Sequence, residues 1–257
     1  MATKLRIWMV SATALALAVA TAVPSVMAEN AANDNRIQAA LTKSLSNAKF
    51  KDVQASVQNG TVSLTGTVNV YGDKVEAEQK AHKVKALAVR DNIQVGGPEV
   101  PDQVLQRELL GKIETDRIGY GTTIFNAISV GVENGIVTLG GSAYGPVDKS
   151  SAVADVSYTP GVKGFVDDVK VDPVSMMDDR IRAITARAVY GYPSLNKYAI
   201  DPTRPIRIVV QNGNVTLEGV VINQADKEVA GLRANAVPGV FKVTNDLRIV
   251  NQQSEHN

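Results

Sequence analysis

The chain has no cysteine and only two histidines, His82 and His256, among its 257 residues. Without cysteine there are no disulfides and no thiolate chemistry, so each folding unit must be held by its own apolar core. A histidine that binds metal or moves protons needs convergent partners. His82 falls in a lysine-rich stretch and His256 in the polar C-terminal tail, without such partners. No Gly-x-Ser-x-Gly, P-loop or dinucleotide fingerprint is present. Two acidic pairs occur, Asp167-Asp168 and Asp178-Asp179. The second suits a helix start, where the macrodipole favours carboxylates, and calcium would need more oxygens at defined spacing. The expectation is a non-enzyme with no cofactor and no metal. Charge is balanced, with 27 basic and 26 acidic residues, which gives no electrostatic case for nucleic acid.

Only one segment is apolar over any length. Lys4 and Arg6 precede an uncharged run from Ile7 to Val23, then Pro24 and the small-residue site Val26-Met27-Ala28. This is the layout of a secretory signal peptide, residues 1–28, cleaved after Ala28. The alternative is an uncleaved anchor, for which the run is short of the ~20 residues of a span. No cysteine follows the site, which closes the lipoprotein route. The expected location is the periplasm, with a soluble mature chain.

One phrase is present three times: Asn59-Gly60-Thr61-Val62-Ser63-Leu64-Thr65-Gly66, Asn134-Gly135-Ile136-Val137-Thr138-Leu139-Gly140-Gly141, and Asn212-Gly213-Asn214-Val215-Thr216-Leu217-Glu218-Gly219. Before it stand Val53, Ala55, Val57, then Ile128, Val130, Val132, then Ile206, Ile208, Val210, alternating as in a half-buried strand. Asn-Gly suits a tight turn with positive φ, so each copy predicts a β-hairpin. The later glycine, Gly66, Gly141 or Gly219, marks a bulge or a close backbone approach, a packed helix being the first candidate. An Ala-rich amphipathic helix follows: from Asp73 to about Ala88 in copy one, with Ala77, Ala81, Val84 and Leu87 on one face. Copies two and three end it at Pro160-Gly161-Val162 and Pro238-Gly239-Val240, a signal that copy one lacks.

Another helix precedes each hairpin. Its apolar faces are Ile37, Ala40, Leu41, Leu45; Val104, Leu105, Leu109, Ile113; and Ile181, Ile184, Ala188, Val189. Asn33 or Asp34, Asp102, and Asp178 or Asp179 stand where N-caps belong. The reading is α+β: three tandem α-β-β-α-β domains, each a small three-stranded mixed sheet with two helices on one face. The crossover should set the third strand parallel to the second and beside the first. Pro and Gly linkers bound the copies at 29–100, 101–173 and 174–250, and the tail 251–257 reads as disordered.

Asn-Gly-x-Val-x-Leu-x-Gly, the Ala-rich helix, Pro-Gly-Val and the polar start of the last strand at Val243-Thr244-Asn245-Asp246-Leu247 together resemble the BON domain. The resemblance covers about residues 34–250. It implies a non-catalytic module of the periplasm and envelope that attaches to phospholipid surfaces and serves in osmotic stress protection. It also implies an alternative, a structural oligomerisation or chaperone-like module, and it supplies no fixed ligand site.

Two features suit a surface or partner. One is the basic helix with Lys74, Lys80, Lys83 and Lys85, which also carries Glu76 and Glu78 and so suits a solvated face before an anionic-lipid site. The other is copy three's Tyr190, Tyr192, Tyr198 and Arg204 with Arg180, Arg182 and Arg187, a mixture suited to lipid headgroups or a protein interface. The alternative is that these tyrosines pack a long loop onto its own domain.

Overall fold

The computed structural model describes residues 23–200 and 205–250, with backbone alone over 23–28. Residues 1–22 of the expected signal segment, and the expected tail 251–257, lie outside the described residues. Copy one runs α1 (Val23–Ser44), β1 (Val53–Gln58), β2 (Thr61–Val68), α2 (Tyr71–Lys83) and β3 (Ala88–Val95). Copy two runs α3 (Asp102–Asp116), β4 (Ala127–Glu133), β5 (Ile136–Ala143), α4 (Pro146–Ser157), β6 (Gly164–Asp167) and β7 (Lys170–Val171). Copy three runs α5 (Met176–Tyr190), a short α6 (Lys197–Ile200), β8 (Arg207–Gln211), β9 (Asn214–Glu218), β10 (Val220–Val221), α7 (Gln224–Asn235), β11 (Lys242–Asn245) and β12 (Arg248–Ile249). The α-β-β-α-β order thus holds three times, and the chain is a mixed α+β protein.

Each hairpin is antiparallel, closing at Gln58↔Thr61, Glu133↔Ile136 and Gln211↔Asn214. The Asn and Gly of each turn both have positive φ, 50–52° and 73–77°. That is the type I′ geometry that matches strand twist. The third strand is parallel to the second, as at Val62↔Val89 and Val215↔Val243. It lies beside the second strand, not the first as expected, so the second strand is central. The four-residue connection 84–87 reaches the free edge of β2 but is too short to pass the hairpin to β1.

The later glycine meets a backbone, but not that of a helix. A Cβ at Gly66 or Gly141 would lie 2.0 Å from the carbonyl oxygen of Asp52 or Ala127, and at Gly219 2.7 Å from that of Pro205. The hairpin's own incoming strand makes the approach, and positive φ at all three makes glycine necessary.

The expected N-caps are a second correction. α1 begins at Val23, well before Asn33 and Asp34, Asp102 follows the N-cap Pro101, and Ser175 caps α5. The three aspartates have another task. Asp34 accepts the Asn59 and Gly60 N–H groups at 2.7 Å each. Asp102 accepts those of Asn134 and Gly135 at 2.7 and 2.9 Å. Asp178 accepts those of Asn212 and Gly213 at 3.0 and 2.8 Å. The same turn accepts on its other side: the Gly60, Gly135 and Gly213 carbonyls bond the N–H of Leu87, Lys163 and Phe241. One turn therefore ties the first helix, the hairpin and the approach to the last strand.

In copy one α2 ends at Lys83 rather than near Ala88. Lys85 takes the left-handed conformation, φ 59°, that Gly161 and Gly239 take in the other copies. The expected inner residue Leu87 is 84% exposed and rests on Gly60. Ala40 and Val104 also face outward, because each first helix buries a narrower stripe than its pattern suggested. Three cores result, centred on Leu41, Leu64 and Ile93, on Leu109, Leu139 and Val156, and on Ile181, Leu217 and Leu247.

Neighbouring copies touch. Tyr71 of α2 packs edge-on to Phe165 at 6.4 Å and joins the core of copy two. Phe125 of copy two joins the core of copy three. Between copies two and three a buried ion pair forms, Arg182 to Asp172 at 2.9 Å, with side chains 3% and 0% exposed. Arg182 also donates to Asp179 and the Val210 carbonyl, while Gln211 and Ser142 donate to Asp172. Arg207 reaches across to the Thr123 and Asn126 carbonyls and to Glu114. Beside it, Asp155 has a buried oxygen without a partner. Burial first, then the nearby Asp116 charge, push its carboxyl above the usual carboxylate range.

Asp178→Ala orphans the buried Gly213 N–H and leaves that of the exposed Asn212 to solvent, and should cost about 1–3 kcal/mol, read as a lower urea midpoint at unchanged slope. Arg182→Met leaves Asp172 buried and uncompensated, at about 3–5 kcal/mol, with partial recovery in the Asp172→Asn/Arg182→Met double variant. An unchanged melting curve for Arg182→Met would contradict the interface. Asp155 titrates above its unfolded value near 3.9, so its stabilising contribution is complete below that pH and is lost as pH rises through the folded value. Asp155→Asn should therefore raise the melting temperature at pH 7 and leave it unchanged at about pH 3.

Candidate interaction surfaces

The seven tyrosines and arginines singled out in copy three do not form one surface. Tyr198 is 5% exposed; its hydroxyl donates to Asp226 at 2.7 Å and accepts the Ile222 N–H at 2.8 Å. Burial, and then the Asp226 hydrogen bond, push that phenol up to about 12. Tyr190 is half-buried and donates to the Ile206 carbonyl at 2.5 Å, and burial raises its phenol well above the usual value. Arg182 lies inside the interface just described. Arg204 lies outside the described residues. Three remain at the surface: Arg180, Arg187 and Tyr192. Arg180 and Arg187 are seven apart on α5 and share a side of that helix. The Tyr192 ring instead faces Arg233 of α7, at 5.5 Å. The turn and strand glycines Gly60, Gly66, Gly135, Gly141, Gly213 and Gly219 occupy backbone positions in the hairpins, as described above.

The basic helix of copy one is also divided. Lys74 donates to the Ile93 carbonyl at 2.8 Å and lies 3.6 Å from Asp91. Lys149 repeats this in copy two, with Val169 and Asp167. These lysines hold α2 and α4 to the last strands, whereas Lys80, 3.5 Å from Glu76 and over the Phe50 ring, and the exposed Lys83 sit further along α2.

A recurrent pair went unnoticed in the sequence reading: Asp73-Lys74, Asp148-Lys149 and Asp226-Lys227, each aspartate thirteen residues after its turn glycine. All three aspartates are buried, at 7%, 5% and 4% exposure. Each lies in the first turn of the second helix. Their partners differ. Asp73 faces Lys49 at 3.2 Å; Asp148 takes Thr122, Asn126 and Arg117; Asp226 takes Tyr198 and Lys197. Burial alone would raise Asp226, but the Lys197 and Tyr198 hydrogen bonds hold it below the usual carboxylate range. Counting from the turn would have found these residues. The aspartates anchor the second helix.

What remains exposed is partly apolar. The Asp178 clamp brings the start of α5 to the turn on which Phe241 rests. Val174, Met176, Met177 and Phe241 are 98%, 90%, 64% and 82% exposed at that corner. Both acids there are engaged, Asp178 by the turn and Asp179 by Arg182, which leaves Arg180 and Lys242 as adjacent charges. Among the described residues no group of three or more His, Cys, Asp or Glu could hold a metal ion. No helix among them is long and apolar enough to cross a membrane.

No curated protein matches the chain. Among the solved structures similar to it are two that each have a TM-score of 0.23 and 16% identity. One is CdsD, a structural protein of the type III secretion system of Chlamydia trachomatis, over 87% of this chain and 97% of that one. The other is the C-terminal domain of CdsD, over 84% and 96%. At that score the likeness supports no argument. The family model of the BON domain matches at residues 33–97, 101–173 and 194–251. Its third match begins after α5, although Ile181 and Val189 of that helix belong to the core of copy three. With most of its length matched in three copies that share one hairpin and one aspartate clamp, the chain belongs to the BON domain family.

Proposed function

We propose that this protein is an exported, non-enzymatic binding protein of the periplasm, which attaches to phospholipid surfaces and protects the envelope under osmotic stress. BON domains are binding modules, associated at a general level with phospholipid and envelope surfaces, rather than catalysts. The observation that carries the reading is the presence of three such modules in one chain. Linked weak contacts multiply, so an array can exceed a single module's affinity by ~10²–10⁴. The signal-peptide pattern of residues 1–28 supports export. The exposed apolar corner of copy three, with Arg180 beside it, supports contact with an interfacial layer rather than with bulk water alone.

The test is co-sedimentation of the purified protein with vesicles containing phosphatidylglycerol. Binding should be strong at low salt and should fall steeply as the Debye length shrinks from ~10 Å at 0.1 M toward ~3 Å at 1 M. No sedimentation with these vesicles at low salt would sink the phospholipid reading.

A further inference from the structure

We propose that the groove between α2 and α4, at the junction of copies one and two, seats the phosphodiester headgroup of an anionic phospholipid, with Lys80 and Lys83 as its cationic wall. This rests on the phospholipid reading above and assigns it a site. Gly72, at the start of α2, lies against Tyr158, which follows α4; a Cβ there would come within 2.7 Å of the ring. From that contact the two helices border an open groove of about 440 Å³. Its apolar lining is Val75 from α2 and Val153, Ala154 and the Tyr158 ring from the other side.

The charges favour an anion. Glu76 is the one carboxylate in the lining. It is bonded to Lys49, and Lys80 stands 3.5 Å from it. The Lys49 partner holds the Glu76 carboxyl below the usual range, so it stays ionised; Lys49 is shared with Asp73, and Lys49 and Lys80 together balance these two carboxylates. Lys83 makes no ion pair among the described residues, which leaves the groove with an excess of positive charge. Tyr158 is 54% exposed, and its hydroxyl adds a donor to the lining. A free phosphate ion would leave the valines and the ring wet. A lipid headgroup places its phosphodiester on the lysines and its glycerol and first methylenes on the apolar lining. The site belongs to the junction rather than to the module. In copy three the positions of Lys80 and Lys83 hold Arg233, which donates to the Ala188 carbonyl, and Ala236.

The experiment compares the purified full chain with two double variants, on phosphatidylglycerol-containing vesicles and on phosphatidylcholine vesicles. Each lysine near an anionic surface contributes about a fivefold gain, so Lys80→Gln/Lys83→Gln should weaken binding to the anionic vesicles about thirtyfold, and Arg36→Gln/Lys43→Gln, equal in charge but on α1, less than about threefold. Ala154→Glu, which sets a carboxylate on the opposite wall at an exposed position, should reproduce the loss. Equal losses in the two double variants would overturn the groove while leaving the phospholipid reading standing. Full displacement of the vesicles by millimolar inorganic phosphate would also overturn it, as the mark of a free-ion site. Absence of any binding by the unsubstituted chain would remove the phospholipid reading and the groove with it.

Discussion

A carboxylate that accepts two adjacent backbone N–H groups organises each copy. Asp34, Asp102 and Asp178 each close on an Asn-Gly turn. The turn needs left-handed backbone at both residues, which points its N–H groups out of the hairpin ladder. Left unpaired, the N–H of the buried glycine would be costly, and a charged acceptor satisfies both. The helix that carries the aspartate is thereby located over the sheet. The turn carbonyl then bonds the residue that leads into the last strand. Remove the aspartate and the first helix, hairpin and final strand lose their common point.

The copies are not independent beads. Copies two and three share a buried Arg182–Asp172 pair, whose breakage would strand a charge, so their relative position is held firmly. Copies one and two meet through Tyr71, Phe165 and Tyr158, an aromatic and helical contact with little buried charge. The two junctions therefore differ in kind, and each creates surface that no single copy has. The groove between α2 and α4 is one such surface. This fits a chain whose modules are alike in their hairpins and unlike in their loops.

Much of the fold was legible in the sequence because the hairpin is a local device. Alternating Val, Ile and Leu around Asn-Gly, and a glycine at a fixed distance beyond, report backbone geometry that the chain must adopt over a dozen residues. The clamp was not legible. An aspartate near a helix start reads as a cap, and its true partner lies 26, 33 or 35 residues away, a separation that varies with the intervening loop. Of the tyrosines and arginines chosen for a surface in copy three, Arg180, Arg187 and Tyr192 are the ones exposed among those described. Arg182 and Tyr198 carry surface-like chemistry, but Asp172 and Asp226 meet them inside the protein. The Asp-Lys pair was countable at a constant spacing and was overlooked because each half resembles an ordinary solvated helix residue.

Sequence alone determined the number of copies, their order of helices and strands, the hairpin turns and the family, since these follow from local periodicity and backbone permissiveness. Tertiary structure decided which strand is central, which aspartates clamp and which anchor, which tyrosines and arginines are buried, and where a groove opens between copies. Those depend on pairings between residues distant in the chain, whose energies arise only when burial removes water from both partners.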